Sequence, residues 1–202
     1  MSRDRAGWYC GGVVVGPALL LLELGSIARG YVALDAMAKR AVVSVLHAEP
    51  ITPGKYWIAL HGGEAELDEA LVPGLEVAAG QRIDHVLLPY AHPDVLAAVA
   101  AGGGVRAGAP EGSVGVIELS SLSAAVRAAD AALKGADVRL VDLHLGRGIG
   151  GKGTVVLTGP LEDIEAAVAM GAEAATEAWL VATEVLANPD VAVTQAAVNR
   201  RR

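Results

Sequence analysis

Phenylalanine is absent from this chain, and aromatic residues make up only 3% of its 202 residues, although 53% are hydrophobic. A core without large rings has to be built from alanine, valine and leucine, which bury less area per side chain. A unit of about half this length with such a core is only marginally stable on its own. Association between subunits is therefore expected.

Cysteine is nearly absent as well. Cys10 stands alone, which excludes an intramolecular disulfide framework and a metal site built from clustered cysteines, and fits a reducing, cytoplasmic setting. The net charge is −7 and no basic face studded with aromatic residues is present, so nucleic acid is not an expected partner. The first apolar run is interrupted by Pro17, ends at Glu23 and is too short to span a membrane, so it predicts a buried strand.

The sequence contains an internal repeat. Residues 21–43, LLELGSIARGYVALDAMAKRAVV, align with residues 116–138, VIELSSLSAAVRAADAALKGADV, at an offset of 95. Residues 54–79 align with residues 151–176 at an offset of 97, so the second copy carries two extra residues between the two aligned stretches. Repetition over nearly the whole chain predicts two tandem domains.

Each copy predicts the same order of elements: strand, helix, strand, Gly-rich or Pro-rich loop, strand, helix, strand and a short helical tail. Ser26 and Ser121 are placed to cap the first helix of each copy. The order β-α-β-β-α-β is that of the ferredoxin-like split βαβ fold, in the α+β class. The predicted domains are residues 17–100 and 113–202, joined by a Gly/Ala/Pro-rich linker over residues 101–112.

The stretch LHLGRGIGGKGTVVLTG, residues 143–159, nearly matches the phosphate-binding motifs G-x-G-x-x-G and G-x-x-x-x-G-K-[ST]. Both motifs lead into a helix N-terminus, and the second needs a hydroxyl where Gly153 stands. Here the loop lies between two predicted strands, and the matching loop EPITPGK, residues 49–55, has lost most of the glycines. Nucleotide binding is therefore not predicted. The residues alone favour a hairpin turn whose glycines permit positive φ and close backbone approach.

Several features recur in the same order in both copies. Each copy has a strand carrying a glutamate, a helix with a D-A-x-x-K segment, a hairpin, a strand ending in glycine, and an Ala-rich helix with a glycine near its middle. The matching positions are Glu23, Asp35, Ala36, Lys39, Gly62 and Gly74 in the first copy and Glu118, Asp130, Ala131, Lys134, Gly159 and Gly171 in the second. This ordered set, found twice between about Pro17 and Pro189, resembles the bacterial microcompartment shell domain, or BMC domain.

The resemblance implies a function. Members with two fused domains form trimers that imitate a hexamer and tile, together with hexameric and pentameric members, into the shell around an enzyme-filled compartment. It thus implies a homotrimeric, pseudohexameric structural protein of the cytoplasmic shell, without enzymatic activity, cofactor or metal. The hairpin loops of such trimers line a central pore for small metabolites. The residues that the resemblance places at the pore are Pro50, Ile51, Thr52, Pro53 and Gly54 in the first loop and Arg147, Gly148, Ile149, Gly150 and Gly151 in the second.

The same resemblance places Lys39, Lys134 and Asn188 at the edges where tiles meet. Considered alone, each lysine lies four residues after an aspartate, a spacing that is common on solvated helix faces. The family often has an arginine in a P-R-P-H-like segment after the last strand, but this chain has Pro-Tyr-Ala-His at 89–92 and Ala-Asn-Pro-Asp at 187–190. Some fused members hold an iron–sulfur cluster at the pore through cysteine. Neither loop here contains a cysteine, so no cluster is predicted.

Three points remain open: the charge of the pore, an enzymatic function and a regulatory function. Arg147, repeated around an axis, would form a positive ring that favours anions, unless it turns away and backbone amides line the opening. An enzyme could use the pairs His47 and Glu49, or Asp142 and His144, but two ligands on one strand face are too few for a convincing metal site. A ferredoxin-like regulatory protein that binds a small molecule in clefts between subunits would share the same architecture.

Overall fold

The computed structural model describes residues 17–104 and 110–198, so Cys10 and residues 105–109 of the predicted linker lie outside the described residues. Described elements of the first unit are β1 (Ala18–Leu24), α1 (Ile27–Arg40), β2 (Ser44–Ile51), β3 (Lys55–Gly62), α2 (Glu64–Ala78), β4 (Arg82–Leu88) and α3 (Pro93–Ala100). Those of the second unit are β5 (Ser113–Leu119), α4 (Leu122–Gly135), β6 (Arg139–Leu145), β7 (Gly153–Gly159), α5 (Leu161–Ala175), β8 (Leu180–Leu186) and α6 (Val191–Val198). The predicted order of elements is confirmed in both copies.

The predicted helix caps are also confirmed. The hydroxyl oxygen of Ser26 accepts a hydrogen bond from the N–H of Arg29 at 3.3 Å. In the second unit, the hydroxyl oxygen of Ser121 accepts from the N–H of Ala124 at 3.1 Å. Each serine thus satisfies one of the amide groups that a helix leaves without an intrahelical partner, and fixes where the helix begins.

Each unit builds one four-stranded antiparallel sheet, in the order β2-β3-β1-β4 and β6-β7-β5-β8. This is the ferredoxin-like order, and it confirms the predicted fold class. In the first sheet Glu23 of β1 lies opposite Trp57 of β3 and Asp84 of β4. In the second sheet the matching Glu118 lies opposite Thr154 and Ala182. The register of the two sheets therefore makes their residues comparable one by one.

The two units pack against each other through α4. One face of the first sheet is covered by its own helices α1 and α2, and the other face, with Leu19, Leu21 and Trp57, is buried against α4 of the second unit. Ten of the 14 residues of α4 are buried, against three of the 14 residues of α1, which fills the matching place in the first unit. The helix between the two sheets belongs to both cores.

Small residues allow this close packing. A Cβ atom at Gly171 of α5 would lie 2.6 Å from Ile117 Cδ1 and 3.0 Å from the carbonyl oxygen of Ala128 in α4. At the matching Gly74 of α2 it would lie 2.8 Å from the sulfur and 2.9 Å from Cγ of Met37, which belong to a side chain and not to the backbone. The two sites differ in whether the crowded neighbour can move, because a backbone carbonyl in a helix cannot.

We expect Gly171→Ala to lower the free energy of unfolding by about 1–3 kcal/mol, because the new methyl group overpacks against backbone. Gly74→Ala is the matched control. It should cost less than Gly171→Ala, because its crowded neighbours are side-chain atoms and alanine favours the helix by up to about 1 kcal/mol. Urea unfolding followed by circular dichroism compares the two variants. Equal losses of stability would contradict the packing difference.

Candidate functional site

The two hairpin loops lie side by side in one chain. The loop between β2 and β3 spans Thr52–Gly54, and the longer loop between β6 and β7 spans Gly146–Lys152. A Cβ atom at Gly151 would lie 2.7 Å from the carbonyl oxygen of Thr52, and one at Gly146 would lie 2.9 Å from Ile51 Cδ1. The close approach of one loop to the other therefore requires glycine at both positions.

Glycine is also required by the backbone of the longer loop. Gly146, Gly148, Gly150 and Gly151 have φ values of 75°, 74°, 67° and 74°, which L-residues with side chains rarely adopt. The sequence prediction of positive φ in this loop is confirmed. As predicted, the loop joins two strands, β6 and β7. A phosphate-binding loop of the two motifs would instead lead into a helix N-terminus.

The ten residues expected at a pore fall into three groups. Pro50 and Ile51 belong to β2, and Ile51 is buried beneath the second loop. Gly148 and Gly150 have open space where a Cβ atom would stand, so they form the free tip of the second loop. The third group contains the other residues of the two turns, which are Thr52, Pro53 and Gly54 in the first loop and Arg147, Ile149 and Gly151 in the second.

Arg147 is ion-paired with a residue of the first unit. Its guanidinium Nη2 lies 2.6 Å from Glu49 Oε1, although both side chains remain accessible to solvent. Glu49 in turn lies 3.8 Å from Nδ1 of His47, whose ring stacks on Trp57 with centroids 4.9 Å apart. The arginine is thus directed to a carboxylate on the neighbouring hairpin, and the pair is electrically neutral. This geometry favours the alternative in which Arg147 turns away from the opening.

Two of the histidines contact carbonyl oxygens of the backbone. His144 Nε2 lies 2.5 Å from the carbonyl oxygen of Arg147, and His47 Nε2 lies 3.2 Å from that of Ala100, so each ring has a partner in the backbone. Among residues 17–104 and 110–198, no group of three or more histidine, cysteine or acidic side chains is placed to hold a metal ion. The pair His47 and Glu49 and the pair Asp142 and His144 therefore do not combine into a metal site of three or more ligands among the described residues.

A buried ionic cluster fastens the two units together beside these loops. Glu23 is fully buried, and its Oε1 accepts hydrogen bonds of 2.7 Å from the hydroxyl of Ser121 and from the N–H of Ser123. Lys55 Nζ lies 3.5 Å from Glu23 Oε2 and donates to the carbonyl oxygens of Ser120 and Gly151, at 3.1 Å each. We call these six residues the interdomain clasp. It holds a charged pair out of water by giving it neutral partners from the other unit.

A second ion pair is joined to the clasp, because the Ser121 hydroxyl also lies 2.8 Å from Asp84 Oδ2 and shares its one hydrogen between Asp84 and Glu23. Arg127 of α4 reaches β4, where its Nη2 is 3.5 Å from Asp84 Oδ1 and donates to the carbonyl oxygen of His85 at 2.8 Å. Burial lowers the pKa of His85, and the positive charge of Arg82 lowers it further, which favours the neutral imidazole. Polar contacts thus continue along the whole interface between α4 and β4.

The residues expected at tile edges lie in two different surroundings. Lys39 forms an exposed ion pair with Asp35 at 2.7 Å. Lys134 pairs with Asp130 at 2.6 Å and also donates to the carbonyl oxygen of Tyr90, in the segment after β4 of the first unit. Asn188 is exposed in the segment after β8, at the place that matches Tyr90 in the repeat.

The sequence did not indicate the clasp or the Arg127–Asp84 pair. The repeat alignment singled out Glu23 and gave it a counterpart in Glu118, but it could not show that its partners lie about a hundred residues away. The available signal was the glutamate itself, since a charge within an apolar strand has to find a partner when it is buried.

Family comparison assigns the fold. The model of the BMC domain matches residues 18–91 and again residues 113–189. The chain belongs to the BMC-domain family. A curated relative, the bacterial microcompartment shell protein PduT of Citrobacter freundii, is 37% identical over 164 residues, which cover 81% of this chain and 88% of the relative.

Two solved structures are similar to this BMC protein. A microcompartments protein from Desulfitobacterium hafniense DCB is 37% identical with a TM-score of 0.75, and the match covers 88% of this chain and 98% of that one. The fused permuted hexameric shell protein MSM0275 of the RMM microcompartment is 20% identical with a TM-score of 0.58, over 77% of this chain and 79% of that one, and supports the fold alone.

The BMC protein is therefore a structural shell protein of a bacterial microcompartment, as the sequence resemblance implied. Family membership also implies that it oligomerises and associates with other shell proteins. Within the part of the chain that the structure describes, no helix is long and apolar enough to cross a membrane.

The second ion pair offers a test of the interdomain contact. At the positions that match Arg127 and Asp84, the repeat has Val32 and Ala182. We expect Arg127→Val to cost about 1–3 kcal/mol, because it leaves Asp84 largely buried without its cation. The double variant Arg127→Val/Asp84→Ala should recover most of this loss, because neither charge then remains. Midpoints of urea unfolding measure both, and a double variant no more stable than the single one would contradict the coupling.

Proposed function

We propose that the BMC protein forms a homotrimer whose six domains imitate a hexamer around a central pore. The observation that carries the proposal is that the surface buried between the two domains has an exposed duplicate in the same chain. Val126 of α4 is fully buried, whereas the matching Tyr31 of α1 is 59% exposed. Val95 of α3 is fully buried, whereas the matching Val193 of α6 is 39% exposed. Apolar residues that are exposed at positions whose duplicates are buried between domains are typical of a surface that another subunit covers.

The geometry of the repeat supports a closed ring. Inside one chain, α4 of the second domain covers the outer face of the first sheet. The same contact made again would place α1 of a further copy on the outer face of the second sheet. Because this contact joins unlike surfaces, it proceeds head to tail, and it ends in a ring if the rotation closes. Three chains supply the six domains of a pseudohexamer, with domains 17–100 and 113–202 alternating and residues 101–112 as the connection.

The six hairpin loops would surround the axis of this ring, three of each kind. Adjacent packing of the two loops in one chain supports this placement. Ile51 and Gly151 are buried where the loops meet, so the other eight residues of 50–54 and 147–151 would line the pore. The free glycine tips at Gly148 and Gly150 suit a crowded axis. Since Glu49 neutralises Arg147, the pore has no strong charge from this residue, and small polar metabolites fit it without selection for anions.

The remaining parts of the proposal concern the outer edge and the chemistry. Lys39, Lys134 and Asn188 would contact neighbouring tiles, including hexameric and pentameric shell proteins. The BMC protein itself would have no catalytic residues and no cofactor. The iron–sulfur cluster of some fused members has no place in the proposed pore, because neither loop offers a cysteine.

The oligomeric state tests the trimer directly. We expect light scattering at two protein concentrations to give three times the chain mass of 20.5 kDa. Sheets of hexagonal spacing should then be visible by electron microscopy. A monomer or dimer whose mass does not change with concentration would overturn the ring and the pore together.

The loop ion pair tests the pore. Arg147→Gln would leave three unpaired Glu49 carboxylates around the axis, so selectivity should shift towards cations. Glu49→Gln should shift it towards anions, and the double variant should behave as the unmodified protein. Reversal potentials across a planar bilayer containing the protein measure these shifts. If neither single variant changed the reversal potential, these loops would not line the conducting path.

A further inference from the structure

The second domain contains half of a clasp. Glu118 and Lys152, which match Glu23 and Lys55 in the repeat, form an ion pair with Nζ 2.5 Å from Oε1. Glu23 is 0% exposed in the complete clasp, whereas Glu118 is 33% exposed. The half-clasp thus has the charged pair and lacks the neutral partners that surround the pair in the first domain.

The missing partners exist in the chain, at positions that the half-clasp cannot reach within one copy. Ser26, Ala28, Gly25 and Gly54 match Ser121, Ser123, Ser120 and Gly151 of the complete clasp. Ser26 caps its helix as Ser121 does, so its hydroxyl hydrogen remains available for donation. Gly25, Ala28 and Gly54 are exposed. The first domain therefore presents the acceptor and donor groups of a clasp on its own surface, together with the exposed face of α1.

A second observation, in the residues that adjoin the clasp, indicates the same contact. Asp84 and Arg127 form an ion pair where the two domains meet, and the matching residues are Ala182 and Val32. Both charges have been replaced by apolar residues, although these positions lie 150 residues apart in the chain. Replacement of only one would bury an unpaired charge in a duplicate of the interface. If Val32 of one copy contacts Ala182 of another, neither position can carry an unpaired charge. The joint replacement meets this requirement.

We propose that a second copy of this chain completes the half-clasp. Glu118 accepts hydrogen bonds from the hydroxyl of Ser26 and the N–H of Ala28 of that copy. Lys152 donates to the carbonyl oxygens of its Gly25 and Gly54, and Val32 of that copy packs on Ala182. The inference rests on the proposed trimer, and it names the polar contacts that close each of its three junctions.

The first experiment compares Glu118→Gln with Glu23→Gln by sedimentation over a dilution series and by thermal unfolding. Glu118→Gln should raise the concentration at which the trimer dissociates by about tenfold or more, because Lys152 is then buried without its anion. It should leave the unfolding of the dissociated chain nearly unchanged, since exposed ion pairs contribute little. Glu23→Gln should lower the unfolding temperature of the dissociated chain. Glu69→Gln, which removes an exposed ion pair with Arg40 on the helical surface, is the control and should change neither.

The second experiment transfers the ion pair of the first interface to the proposed one. Val32 and Ala182 are both exposed in the single chain, so the variants Val32→Arg and Ala182→Asp should each fold. Each alone should weaken the trimer, and the two together should restore it. A trimer that is unaffected by Glu118→Gln and by Val32→Arg would overturn the clasp and leave the trimer standing. An unmodified protein that is not a trimer would instead overturn the proposed function.

Discussion

The first sheet is apolar on both faces, and this constraint governs the rest of the structure. All seven residues of β1 are buried, with Leu20 and Leu22 facing the helices of its own domain and Leu19 and Leu21 facing α4. An antiparallel sheet can leave one face to water, but only if that face is polar. The second domain is therefore needed to complete the first. Glu23 is tolerated within this face because that domain supplies its hydrogen bonds.

The outer face of the second sheet differs in composition from the outer face of the first, and it is exposed in the single chain. It carries Glu184 where the first sheet has Val86, and Ala182 where the first has Asp84. The face that is covered within the chain can hold charged residues such as Glu23 and Asp84, because the second domain supplies their partners. On the face of the second sheet, which is exposed in the single chain, Glu184 can remain in water and Ala182 leaves no charge to be buried without a partner. The two interfaces differ in composition while they keep the same geometry.

Local patterns in the sequence were sufficient for the elements, and insufficient for their contacts. Strand alternation, helical spacing and the capping serines Ser26 and Ser121 act within a few residues, so element order and helix starts could be predicted. The repeat added the domain count and the comparison of positions. The pairing of Glu49 with Arg147 joins residues from different domains, and only the packing of α4 on the first sheet brings their hairpins together. No periodicity reports such a contact, because it depends on tertiary structure.

Because two domains are fused in one chain, equivalent positions can carry different residues, and the two hairpins differ in this way. His47 and Glu49 of the first hairpin match Asp142 and His144 of the second, so acid and histidine are exchanged between the copies. In a ring of six identical domains, six glutamates at the position of Glu49 would repel one another around the axis. In the proposed trimer there are three, and each has Arg147 from the longer loop within hydrogen-bond distance. The two extra residues of that loop and the exchange of acid and histidine are thus parts of one arrangement, in which neutral pairs replace a ring of like charges.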